Sequence, residues 1–125
     1  MYTYLSTSTY FYVSIITMSN LAVYPISDEN CPVRRSLAVI GGKWPLLIIF
    51  QIGDRTLRFS ELRRCIPGIS EKMLSSQLQF LAEKGIVNRK SYEVVPPKVE
   101  YSLTKTGKDL IPILDEIANF GLKNL

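Results

Sequence analysis

A mainly α-helical domain carrying a small β-hairpin, α+β in class, is the fold the sequence predicts, on three observations. Residues 59–85, FSELRRCIPGISEKMLSSQLQFLAEKG, read as two helices around a tight Pro67-Gly68 turn, the second longer than the first. Beyond Gly85 the apolar period changes, and a loop holding two prolines separates two strand-like runs. Residues 104–125 return to a helical period with an apolar face wider than a small core needs. Helix, turn, helix and hairpin in that order make a winged helix-turn-helix, whose second helix has the form that enters a DNA major groove. On the helical pair alone, a helical hairpin inside a larger all-α domain is an equal reading; the hairpin that follows favours the winged form.

The 125 residues fit one compact domain, with room for a real but small core. Residues 1–20 stand apart as an N-terminal extension, and residues 21–125 form the domain. The first 17 residues hold no charge and four of the seven tyrosines. They lack the basic start and clean apolar core of a secretory signal, and they are too short and hydroxyl-rich for a membrane span. Met18 opens an ordinary-looking start, SNLAVYPISDENC. The expectation is that translation begins there, or else that the segment is a strand or arm gripping a partner subunit. Cys31 and Cys65 are far apart and form no CxxC, which fits a reducing cytoplasm; no membrane association is expected.

The globular part opens with Pro32 at a first helical position. Val33, Leu37 and Ile40 make one stripe, and Gly41-Gly42 ends the helix. KWPLLIIFQIGD is apolar almost all round and reads as the central core helix, anchored by Trp44 at its start. A buried strand over LLIIF is the alternative, but length and flanks favour helix. Arg55 to Arg58 is a linker or one short strand. Ser60 is expected to cap the first helix of the pair and Ser70 the second. Leu62 and Ile66 bury one face of the first. Leu74, Leu78 and Leu81 bury one face of the second, a recognition helix over about residues 70–84, and the opposite face carries Lys72, Ser75, Ser76, Gln79 and Glu83.

Ile86 to Glu93 leans towards strand. Val94 to Lys98 is a loop, because prolines cannot sit inside a paired strand, and places a wing at about residues 93–98. Val99 to Leu103 alternates apolar with polar. Thr104 caps the last helix, where Pro112 predicts a kink. Two adjacent apolar stripes follow on that helix and predict subunit pairing, packing of both within the chain being the alternative. Leu110, Ile111, Ile113, Leu114, Ile117, Ala118 and Leu122 are its candidate dimer residues.

The chain has no histidine, which removes Ser-His and Cys-His nucleophile arrangements, and it has no metal-ligand spacing and no phosphate-cradling glycine loop. A binding protein is expected rather than an enzyme, with no cofactor and no metal. The net charge is +4, and residues 54–98 carry nine Lys/Arg against five Asp/Glu while the flanks nearly cancel. A basic excess on the reading unit suits a polyanion; a merely solvated charged face is the bland alternative. The expected partner is double-stranded DNA. Lys72, Ser75, Ser76 and Gln79 have the right chemistry for base edges. Arg63 and Arg64 on the preceding helix, and Lys90 and Lys98 beside the wing, suit phosphates, as do the backbone N–H groups at the Ser70 cap. A homodimer implies a pseudo-palindromic operator. A non-DNA protein-docking module is the rival reading.

Six motifs carry a family resemblance: Cys31-Pro-Val-Arg-Arg, Ile40-Gly-Gly-Lys-Trp44, Arg58-Phe-Ser-Glu-Leu-Arg63, Pro67-Gly-Ile-Ser-Glu-Lys-Met-Leu74, Pro96-Pro-Lys-Val-Glu-Tyr-Ser-Leu-Thr104 and Gly107. Together, over residues 28–122, they resemble the HxlR-type transcriptional regulators, a MarR/HxlR-like group. The resemblance implies a small bacterial homodimer that pairs through its N- and C-terminal helices and represses or activates transcription. It also implies a response to electrophiles, quinones, aldehydes or oxidants through the cysteine matching Cys31. Chemistry agrees in part: a helix N-terminus favours the thiolate, and Arg34 and Arg35 add positive charge that Asp28 and Glu29 oppose, a buried structural cysteine being the alternative reading of Cys31. No cysteine lies near the C-terminus, leaving Cys65, a second Cys31 or a small thiol as partner. Cys65 itself reads as a packed thiol. Gating by a noncovalent small ligand, lined by Trp44 and tyrosines, is a further alternative.

Overall fold

The computed structural model describes residues 30–125, so the readings made on residues 1–29 lie outside the described residues. The chain divides into two compact units between Ala38 and Val39. Among the described residues nine elements follow one another: α1 (Pro32–Ile40), α2 (Pro45–Ile52), β1 (Leu57–Arg58), α3 (Phe59–Cys65), α4 (Glu71–Glu83), β2 (Val87–Tyr92), β3 (Lys98–Leu103), α5 (Lys105–Lys108) and α6 (Ile111–Asn124). No single described helix is long and apolar enough to cross a membrane.

α1 starts with its proline in the first turn, where a missing N–H costs nothing. The Arg35 N–H donates to the Cys31 carbonyl at 3.0 Å, so Cys31 sits at the helix entrance. α2 is a helix and not a strand: Ile48, Ile49 and Ile52 are fully buried, and the Gly53 N–H closes the last turn on the Ile49 carbonyl at 3.0 Å. It is not apolar on a wholly buried surface, since Leu47 and Phe50 face outward.

The helical pair begins two residues earlier than its serine suggested. Arg58, not Ser60, is the N-cap residue of α3, and the Glu61 carboxylate accepts from the Arg58 N–H at 2.8 Å. β1 runs straight into α3, and a carboxylate three residues into a helix reaches back to that first free N–H. Leu62 is buried and Gly68 turns the chain with φ +86. Ser70 caps α4 as expected, its Oγ accepting from the Met73 N–H at 3.0 Å. Leu74, Leu78 and Leu81 are buried in one line. At the far end the Ile86 N–H reaches the Leu81 carbonyl at 2.9 Å and the Gly85 N–H reaches Ala82 at 3.0 Å. Gly85, at φ +74, supplies the left-handed residue that this double closure requires.

The wing is part of a three-stranded antiparallel sheet in the order β1-β3-β2. Register pairs Leu57 with Tyr101 and Arg58 with Glu100, then Val87 with Leu103, Lys90 with Glu100 and Tyr92 with Lys98. Leu57, Val87, Tyr101 and Leu103 point into the core shared with α2, α3 and α4. Lys98 belongs to β3 and not to the loop, which spans residues 93–97.

The predicted single terminal helix with a kink at Pro112 is instead two helices, broken at Asp109-Leu110. Pro112 falls in the first turn of α6, where its lack of an N–H removes no helical bond, so there is nothing for it to kink. Thr104 caps α5, accepting from the Gly107 N–H at 3.0 Å. Its Oγ also lies 2.6 Å from the Gly85 carbonyl oxygen, and its own N–H donates to Ile86 at 3.0 Å. The start of α5 is thereby tied to the exit of α4.

Candidate nucleic-acid interface

The three buried leucines of α4 fix which way the rest of that helix looks. Lys72, Ser75, Ser76 and Gln79 all lie on its exposed side, so the structure brings four of the predicted residues onto one polar face. Ser70, also exposed, spends its hydroxyl on the cap. Met73, at the edge of this face, is exposed as well and was not among the sequence candidates. Gln77 lies closer to the core, with its Nε2 3.8 Å from the Met73 sulfur.

Arg63 is committed in part, pairing with Glu71 at 3.3 Å across the turn. Both side chains are well exposed, so the pair, which spans from the last turn of α3 to the first turn of α4, adds little stability. Arg64 is exposed beside it. These residues, with Phe59 and Ser60, line a shallow open cleft at the mouth of the helical pair.

The wing carries a cluster that sequence reading saw only in part. Lys90 and Lys98 both lie over the Tyr92 ring, at 4.9 and 4.8 Å from its centre. The Tyr92 hydroxyl donates to Glu100 at 2.8 Å, and the Lys98 ammonium lies 3.3 Å from the other carboxylate oxygen. The Tyr92 hydrogen bond is the main reason the Glu100 carboxyl titrates below its ordinary range. Partial desolvation opposes it, and Lys98 and Arg58 reinforce it. Arg58, Glu100 and Lys90 form one cross-strand row. Tyr92 and Glu100 gave no signal of their own in the sequence; only the register, with Tyr92 opposite Lys98, reveals them.

The predicted pairing residues separate. Leu114 is buried in the chain's own core, and Leu110 and Ile111 are half-buried against it. α6 rests its first turns on α2, and that contact draws Leu114 inward. Ile113, Ile117, Ala118 and Leu122 face outward, joined by Phe120, which was not anticipated. Cys31 is buried, Cys65 is half-buried, and neither is in a disulfide.

Comparison with known proteins supplies the context. The family model described as HxlR-like helix-turn-helix matches residues 39–125. The uncharacterised HTH-type transcriptional regulator YybR of Bacillus subtilis (strain 168) is 46% identical over 102 residues, which cover 82% of this chain and 81% of YybR. A solved structure described as a MarR-family transcriptional regulator from Porphyromonas gingivalis W83 superposes with a TM-score of 0.77 at 59% identity, covering 81% of this chain and 99% of that one. The redox regulator HypR in its oxidised form superposes with a TM-score of 0.72 at 46% identity, covering 76% and 98%.

Proposed function

This chain belongs to the HxlR-like helix-turn-helix family of winged helix transcriptional regulators, and from that premise we propose that it is a homodimer that binds a pseudo-palindromic duplex operator. α4 enters the major groove and the wing meets backbone or minor groove. The observation that carries this reading is the division of α4 into a fully buried leucine face and a polar face of Lys72, Ser75, Ser76 and Gln79. Gln79 has the two-pronged amide that fits an adenine edge, the serines fit either partner, and Lys72 fits guanine or phosphate. Arg63, Arg64, Lys90 and Lys98 serve phosphates, and Ser70 presents the N-terminus of α4 to one more. Ile113, Ile117, Ala118 and Leu122, with Phe120, form the pairing face. Such a regulator works in the cytoplasm and needs no catalytic group.

Fluorescence anisotropy on duplexes from the chain's own upstream region tests this. Binding should exceed that to random duplex and fall steeply with salt, by a logarithmic slope of about 0.9 for each phosphate neutralised. Equal, salt-insensitive binding to both duplexes would remove the proposal in favour of a protein-docking module.

A second reading is favoured by HypR, which is described as a redox regulator and has oxidised and reduced forms. In this reading, oxidation or electrophile attack at Cys31 switches binding. The thiol sits at the entrance of α1 but is buried, so the attack requires local opening. A mild thiol oxidant should release the DNA from the parent chain and leave Cys31→Ser bound. Equal release from both would exclude Cys31 as the switch.

A further inference from the structure

The tip of the wing is apolar where a loop on a cationic surface would ordinarily be polar. Residues 94–97 read Val-Val-Pro-Pro; Val95 is 100% exposed, Val94 is more than half exposed, and both prolines face solvent. No side chain there can donate or accept a hydrogen bond, and the prolines lack an N–H. What the tip offers is apolar volume on a chain whose freedom two prolines have already reduced. The chain bends sharply into it, with the Val94 N–H returning to the Tyr92 carbonyl at 3.0 Å. Directly below, Lys90 and Lys98 are both seated on the Tyr92 ring.

An apolar point with a cation on each strand beneath it is complementary to a minor groove. There, two walls of phosphate enclose sugars and base edges, and apolar side chains can part a base step. We propose that Val94 and Val95 form a wedge that inserts into the minor groove and bends the duplex, while Lys90 and Lys98 meet the phosphates of the two walls. This rests on the proposed DNA binding and goes beyond it, by assigning a deforming role to uncharged residues. A sequence that deforms easily at the wing positions, such as a pyrimidine–purine step, becomes part of the operator without being read by hydrogen bonds.

The test uses the full chain and a duplex that the chain itself selects from a randomised pool, labelled at both ends for energy transfer. The wild-type chain should bend this duplex by an angle in the range of about 20–90°. The Val94→Ser/Val95→Ser variant should lose most of that bend and bind about tenfold more weakly, with an unchanged salt slope and an unchanged thermal midpoint. Lys98→Ala should weaken binding and flatten the salt slope while the bend persists. A wild-type chain that binds without bending overturns the wedge and leaves the DNA-binding reading standing. So does a double serine variant that bends as the wild type does. Failure to select any duplex removes both.

Discussion

Gly107 has no space for a side chain, because a Cβ there would overlap the carbonyl oxygen of Ile86. The obstacle is backbone, and that same carbonyl accepts the Thr104 N–H, so it cannot swing aside without breaking the joint between α4 and α5. Gly107→Ala should therefore cost about 1–3 kcal/mol, the range for forcing extra volume into a packed site. Urea unfolding would show a lower midpoint at constant slope. A midpoint within error of the parent would mean that the joint yields more easily than its hydrogen bonds suggest.

Gln79 and Lys98 are expected to fail differently. On the proposed reading, Gln79→Ala relaxes sequence preference at one operator position and costs about 1–3 kcal/mol there. Lys98→Ala weakens selected and random duplexes alike and lowers the salt slope by about one. Competition binding across operator variants and salt concentrations separates the two. Identical behaviour of both variants would show that their roles are misassigned.

The Tyr92 hydroxyl makes the hairpin sensitive to acid. It favours ionised Glu100, so the carboxyl binds its proton less readily folded than unfolded. The resulting stability is present at neutral pH, and it is lost as pH falls from the ordinary carboxylate range, about 4, through the lower folded value. Tyr92→Phe should flatten this acid limb and leave the region above pH 6 with little pH dependence from this group. Thermal midpoints measured from pH 7 to pH 2.5 give the comparison, and parallel curves would dismiss the hydrogen bond as a contributor.

Ile117 and Phe120 lie outward on α6, and Leu122 is 87% exposed. If this is the pairing face, Ile117→Asp should convert the chain to a folded monomer, because a charge there would be buried without a partner. Sedimentation should show the halved mass and circular dichroism an unchanged helix content. Operator affinity should fall by the loss of the second half-site. A dimer that survives the aspartate would place pairing elsewhere.

The helical pair and the wing were legible because their signals are local. Leu74, Leu78 and Leu81 repeat at helical spacing, Ser70 and Thr104 are short polar side chains just ahead of helices, and two prolines interrupt a strand pattern. The misses share a different cause. Ser60 lost the capping role to a carboxylate one residue further on, a competition that spacing alone does not rank. Leu114 repeats with its outward neighbours, but which stripe turns inward depends on where α2 lies. Tyr92 over Glu100, and Arg63 beside Glu71, depend on register and on the angle of the turn, which no single segment encodes. The polar face of α4 was legible residue by residue because the same three leucines define it by exclusion.

The knot at Thr104 closes the root of the hairpin on itself. The chain leaves the helical pair at Gly85 and Ile86 and returns to the same two carbonyls through Thr104, so the whole excursion of β2, loop and β3 begins and ends at one point. The Val87–Leu103 pair sits immediately above that point. The tip lies outside the bonds that set the start of α5, so residues added or removed there are expected to leave that root in place. On the proposed reading, reach towards the nucleic acid is thus an adjustable dimension of this scaffold, set at the tip, while α4, α5 and α6 keep their mutual geometry.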